Sequence, residues 1–166
     1  DVYLVLDDFG PIGRAYRAVC LSIVVVTLAA ACAAPAQRAD EFAQSAGFQR
    51  DVVPGETFRH VVYRNLQHDD QHTLHVYIEG DGRPYLDRWT VAPDPTPASP
   101  IMLQLMATDP APALYVGRPC YFGLSRHRPC KPLDWTLRRF SQDVVDSMAA
   151  AARVAVGVTS VPPPVR

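Results

Sequence analysis

Leu74-His75-Val76-Tyr77-Ile78-Glu79-Gly80-Asp81-Gly82-Arg83-Pro84 is the segment around which the rest of the chain arranges itself. Aliphatic residues at positions 74, 76 and 78 alternate with polar or aromatic ones, the period-2 pattern of a strand. The strand runs straight into two glycines one residue apart. Such glycines let the backbone turn sharply and leave peptide N–H groups unobstructed. Donors held at the end of a sheet strand can stabilise an oxyanion, worth roughly 3 kcal/mol of transition-state energy where one donor has been removed. A plain tight turn carries the same G-x-G signature, so the loop takes its meaning from its surroundings.

Upstream, Phe48 to Val53 and Thr57 to Arg64 read as two extended runs separated by the turn signal Pro54-Gly55. Arg59, His60 and Arg64 interrupt the apolar residues of the second run, which predicts a partly solvated edge hairpin. Gln37 to Ala46 is polar and alanine-rich and suits a tether followed by a short helix. Downstream, the proline-dense stretch 93–97 leads to Ser99 as a candidate N-cap and Pro100 at a first helical position. Ile101 to Ala107 then predicts a short, well-buried helix, Ala113 to Gly117 a buried strand, and Arg118 to Pro132 a loop. From Ser141 the period turns helical, with Val144, Val145, Met148, Ala151 and Ala152 on one face and Asp143 in the first turn, where the dipole favours it. The predicted fold class is α/β: an N-terminal hairpin plus the start of a parallel sheet with crossover helices.

Composition narrows the field. The 166 residues, about one domain's worth, are 48% apolar and 20% charged, which excludes a disordered polar chain. Sixteen Lys and Arg against 17 Asp and Glu exclude a polybasic nucleic-acid binder, so no nucleic acid is expected as partner. Sixteen prolines are about twice the ordinary share of ~5% and exclude an all-helical bundle. Four cysteines with no C-x-x-C step argue against structural zinc. His68, His72 and His75 do not have the spacing of a ligand set and read as solvated, so no metal or other cofactor is expected. Arg138-Arg139 and Arg126-x-Arg128 read as solvated charges.

Between Arg17 and Arg38 lie 20 residues without a charge, with an apolar core from Val19 to Leu28. Arg14 and Arg17 precede it, and Ala29-Ala30-Ala31-Cys32-Ala33-Ala34-Pro35 follows, the order of a secretory leader. Residues 14–36 are therefore read as a signal peptide or membrane-anchoring helix, with the arginines inside and the body outside. The small residues before Cys32 resemble a bacterial lipoprotein signal, in which the cysteine thiol is acylated and begins the mature chain. Ala29 stands where a bulkier residue is usual, which leaves ordinary cleavage or a retained anchor open. The expected location is the cell envelope, membrane-anchored on the periplasmic or extracellular side. Residues 1–13 read as a short strand and an acidic turn, a misassigned upstream segment with no function. In an oxidising compartment Cys120 and Cys130, ten positions apart in one loop, are expected to pair, for about 2 to 3 kcal/mol.

Three spaced segments carry a resemblance: His75 to Pro84, Tyr115-Val116-Gly117-Arg118-Pro119-Cys120-Tyr121, and Trp135-Thr136-x-x-Arg139-Phe140-Ser141. Together they resemble a group of exported bacterial α/β-hydrolase-fold proteins, many of them lipoproteins, over roughly Phe48 to Ala152 of a domain spanning residues 37–152. The resemblance implies that Gly80-Asp81-Gly82, with Arg83, is the oxyanion loop after the third strand. It makes Pro100 to Ala107 the first crossover helix and Ser141 to Ala152 the second. It also implies cleavage of esters or similar acyl bonds in small acyl substrates by an attacking serine.

The nucleophile of that fold sits on a G-x-S-x-G elbow, and none is present. Gly157-Val158-Thr159-Ser160-Val161 has its serine out of register and lacks the second glycine, and Gly123-Leu124-Ser125-Arg126-His127 has His127 in the glycine's place. No catalytic Ser, Asp or His is identifiable. The atypical tail 153–166, with Pro162-Pro163-Pro164, points to a truncation or frameshift near Ala150. The expectation is half of a serine-hydrolase-like exported lipoprotein, inactive alone because an oxyanion loop stabilises charge that only a nucleophile creates. Its open sheet edge would favour self-association. The alternative is a non-catalytic, membrane-anchored envelope binding protein using an aromatic loop around Tyr85, Trp89, Tyr121, Phe122 and Trp135. A non-functional fragment is a third reading.

Overall fold

Short runs rich in β-branched and aromatic residues form the strands, and stretches rich in alanine, leucine and methionine form the helices. The computed structural model describes residues 34–65 and 73–157. In chain order the elements are helix α1 (Pro35–Ser45), strands β1 (Gln49–Pro54), β2 (Arg59–Asn65) and β3 (His75–Ile78), helix α2 (Ile101–Met106), strand β4 (Ala113–Val116), a 3-10 turn (Pro132–Trp135) and helix α3 (Gln142–Ala155). The sheet order is β1-β2-β4-β3. Only β3 and β4 run parallel; β1 pairs with β2, and β2 with β4, in antiparallel fashion. Among the described residues the fold is α/β, a mixed four-stranded sheet with three helices.

Register sorts the side chains onto two faces. Tyr63 lies opposite Tyr115, and Tyr115 opposite Tyr77, while Val62, Val116 and Ile78 line up on the reverse face. The tyrosine face is covered by α1 and α2, through Ala39, Ala43, Leu103 and Met106. Phe122 stands edge-on to Tyr63 and Tyr115, with ring centroids 5.9 and 5.7 Å away. On the reverse face α3 lays Ala151 against Val53, Val62, Leu114 and Val116. Helices α2 and α3 thus occupy opposite faces of the sheet. Helix α3 packs on β1, β2 and β4. Strand β3 is left as an edge whose Val76 and Ile78 are 45% and 53% exposed on that reverse face.

Several expectations are corrected. Strand β2 is not a solvated edge but lies between β1 and β4, and its His60 is buried. The tether is helix from Pro35 onward, with the proline in the first turn, where a missing N–H costs nothing. Pro100 is itself the N-cap of α2, and Ser99 Oγ instead accepts from the Gln104 side chain at 2.9 Å. Helix α2 is only half buried, since Ile101 and Leu105 face solvent. Val145 also faces solvent, and Ser147 and Ala150 take its place on the buried stripe of α3. Residues 1–33, which hold the leader's apolar core and Cys32, lie outside the described residues, as do His68, His72 and residues 158–166. Among the described residues no helix is long and apolar enough to cross a membrane. Cys120 and Cys130 form the expected disulfide, with Cα atoms 5.6 Å apart.

Candidate functional site: the glycine loop after β3

The loop is built outward from Glu79, the residue that follows β3. Its buried carboxylate accepts from the N–H of Gly80 at 3.1 Å, from the N–H of Met102 at 3.3 Å and from the hydroxyl of Tyr115 at 3.3 Å. One side chain therefore ties the end of β3 to the start of α2 and to the middle of β4. The Gly80 N–H is occupied by this contact.

Asp81 is gripped from three directions. Its carboxylate accepts from Arg139 Nε at 2.9 Å and pairs with Arg118 Nη1 at 3.3 Å. Its backbone carbonyl accepts from the Tyr121 hydroxyl at 2.6 Å. Burial pushes the Tyr121 phenol up to about 12, so it stays a neutral donor. The two guanidinium groups also lie over the Phe140 ring, 5.2 and 5.0 Å from its centroid, and Arg118 donates to the Arg139 carbonyl. The three segments that carry the family resemblance thus converge on one aspartate.

Gly82 adopts φ +61, and a Cβ there would sit 2.3 Å from the Pro95 carbonyl oxygen. Only glycine fits both conditions. Arg83 donates its N–H to Pro95 at 2.8 Å and its guanidinium to the Leu86 carbonyl at 2.9 Å, so it braces the following turn. Among the described residues the N–H groups of Asp81 and Gly82 have no acceptor. Two guanidinium groups against one carboxylate leave net positive charge at this free backbone, an arrangement suited to an anion. Both glycines are exposed at the sheet's end. A cleft of about 510 Å³ lies elsewhere, lined by Asp40, Arg50, Arg59, Phe122, Leu124 and His127 among others, with no residue of the glycine loop.

Arg139 corrects the reading of Arg138-Arg139 as a solvated pair. Arg138 is exposed and bonds Asp143 at 2.7 Å, whereas Arg139 turns to Asp81. The sequence signal was the placement of Arg139 within a resembling segment, since charge alone does not tell two neighbouring arginines apart.

A serine and a histidine do meet, at a place the sequence did not single out. Ser147 Oγ lies 2.9 Å from His60 Nε2, and His60 Nδ1 lies 2.9 Å from the Gly117 carbonyl. That carbonyl can only accept, so Nδ1 carries the proton and Nε2 receives the Ser147 hydroxyl. Desolvation lowers the His60 pKa and keeps the ring neutral. Both residues are fully buried, and Gly55 closes over Ser147. The pair joins β2, β4 and α3, and no substrate reaches it.

His75, expected to be solvated, is held at Nδ1 by Asp109 Oδ2 at 2.6 Å, and the Tyr77 hydroxyl donates to the same oxygen at 2.5 Å. The Asp109 carboxyl is held down to about 2, chiefly by the Tyr77 hydrogen bond and then by the Ala111 N–H and His75. Among the described residues no group of three His, Cys, Asp or Glu is placed to hold a metal. The aromatic binding loop is also corrected: Tyr121, Phe122 and Trp135 are core residues, which leaves Tyr85 and Trp89 at the surface. Comparison of the chain with family models, curated proteins and solved structures found no match.

Proposed function

We propose that this chain is the amino-terminal half of an exported α/β-hydrolase-like protein, carrying an oxyanion loop without a nucleophile and inactive on its own. The observation that carries the reading is the convergence of Arg118, Tyr121 and Arg139 on Asp81, which presents the Asp81 and Gly82 N–H groups at the end of β3. In a complete relative, a serine oxygen would add to the carbonyl of a small acyl ester. The carbonyl oxygen, becoming negative, would then be stabilised by these donors.

Topology supports the same reading. Parallel crossovers are right-handed. The β3-to-β4 connection moves toward β2 with α2 on the tyrosine face, so a right-handed connection from β4 through α3, on the reverse face, moves the other way. A strand so connected would pair with the free edge of β3, beside the glycine loop, where ligands of open α/β sheets bind. Anchoring through the leader or an acylated Cys32 would hold the body at the outer side of a membrane.

The purified chain is expected to leave short-chain p-nitrophenyl esters unhydrolysed and to take up no label from a serine-directed fluorophosphonate. Turnover, or a labelled serine identified by mass spectrometry, would overturn the inactive reading. Mass spectrometry of the membrane-bound chain tests for acylated Cys32.

A further inference from the structure

Beyond the glycine loop the chain forms a small hairpin, bridged between Tyr85 and Val91, with the Leu86 N–H donating to the Thr90 carbonyl at 2.8 Å. Asp87 shapes the tip by accepting the N–H groups of Trp89 and Thr90, each at 2.8 Å. This turn lifts Trp89 to 82% exposure, with the Arg88 guanidinium 5.2 Å from its ring centroid. The segment before α3 adds Leu137 and Phe140, 80% and 66% exposed. It is fastened to the hairpin region by Trp135 Nε1 donating to the Ala92 carbonyl at 3.1 Å and by Arg139 on Asp81. Large apolar side chains at one end of a sheet, on a frame built to hold them out, mark a contact surface.

The charges indicate what it contacts. Arg83 and Arg88 form no ion pair among the described residues. Asp87 is the one carboxylate of the hairpin against these two arginines, and Asp134 is buried against the Lys131 N–H. The surface therefore offers a tryptophan and aliphatic groups interleaved with unpaired arginines. An indole at the level of lipid headgroups, with guanidinium groups beside it, is the chemistry of an anionic membrane interface. We infer that the hairpin carrying Trp89 docks onto an anionic phospholipid surface, with the indole entering the interface and Arg83 and Arg88 meeting the phosphates. This contact is made by the folded body and does not depend on the leader or on the hydrolase reading.

Only two tryptophans are present, and Trp135 is 3% exposed, so a change in polarity-sensitive emission reports Trp89. The full chain is mixed with phosphatidylglycerol/phosphatidylcholine vesicles and with pure phosphatidylcholine vesicles, each with and without brominated acyl chains. The expected result is a blue-shifted emission quenched by bromine in the anionic vesicles and absent in Trp89→Phe. Each arginine in contact is worth about fivefold in partition, so Arg83→Gln with Arg88→Gln should lower the ratio of inserted to exposed Trp89 about 25-fold at low salt. Vesicle binding through the leader with Trp89 still red-emitting and unquenched would overturn the proposal. So would equal quenching in neutral vesicles, or a blue shift that grows with protein concentration without lipid and marks a second copy as the occupant. Unchanged Trp135 emission and far-ultraviolet dichroism confirm that each variant is folded.

Discussion

Arg139 Nε reaches the carboxylate of Asp81 at 2.9 Å across 58 residues of sequence, joining the turn before α3 to the loop after β3. Arg118, far less exposed than either, completes the pairing. Removing the carboxylate leaves Arg118 without its counter-charge. Because Asp81 and Arg139 are each about a third exposed, solvent screens much of the attraction. Asp81→Asn is expected to cost about 1 kcal/mol, and hydrogen exchange at residues 80–83 should rise more than in the strands. Unchanged exchange there would show that Tyr121 alone holds the loop.

The three glycines nearest the argument separate by what surrounds them. At Gly80 a Cβ meets nothing within 4 Å, so Gly80→Ala should change stability by less than about 0.5 kcal/mol. At Gly82 the positive φ and the Pro95 carbonyl make Gly82→Ala cost about 2 kcal/mol or more. At Gly55 a Cβ would lie 2.3 Å from Ser147 Oγ and 2.4 Å from the Ser147 carbonyl oxygen, so Gly55→Ala should cost about 2–3 kcal/mol. The urea midpoint of Gly80→Ala should stay near that of the unaltered chain, with those of the other two variants well below it.

His60 predicts the acid limb of the stability profile. Its folded pKa lies below the ordinary value of 6.5, because burial disfavours the charged ring. Below pH 6.5 the unfolded chain takes up a proton that the folded chain refuses, so stability falls as pH drops below 6.5 and is level in this respect above it. His60→Gln should be less stable at neutral pH yet lose that slope, as read from urea midpoints between pH 7.5 and 5. Asp109, held down to about 2, acts in the same direction in a lower window: its stability is present above the ordinary carboxylate pKa of 3.8 and lost toward pH 2.

Reducing the Cys120–Cys130 bridge reopens a ten-residue loop whose residues Tyr121 and Phe122 are core. The expected loss is about 2 to 3 kcal/mol. It should appear as a lower urea midpoint with reductant, reproduced by Cys120→Ser with Cys130→Ser and not added to by reductant in that variant.

The free edge of β3, with Val76 and Ile78 exposed, is the expected seat of self-association. Val76→Lys with Ile78→Lys places two charges along that edge. Sedimentation of the chain in mild detergent should shift from concentration-dependent to a single monomeric species. Self-association that persists unchanged would move the contact away from β3.

Much of the architecture was legible locally. Period-2 alternation located β3, a short apolar run located β4, Pro54-Gly55 located the turn between β1 and β2, and the 3.6 period located α3, each within a few residues. These features depend on neighbours in the chain, as does the pairing of two cysteines in one loop. The glycine loop was legible for the same reason: a strand that ends in G-x-G announces a sharp turn wherever the strand goes.

What the sequence alone determined is the set of elements, their order and the position of that turn, because propensity and periodicity act over a few residues. Only the tertiary structure decided that β2 is central and β3 the edge, that Arg139 rather than Arg138 meets Asp81, that Ser147 meets His60 in a closed core, and that Tyr121, Phe122 and Trp135 face inward while Trp89 faces out. Each of these depends on which distant segments share a face. Strand order and helix placement set that, and no single stretch of chain contains the information.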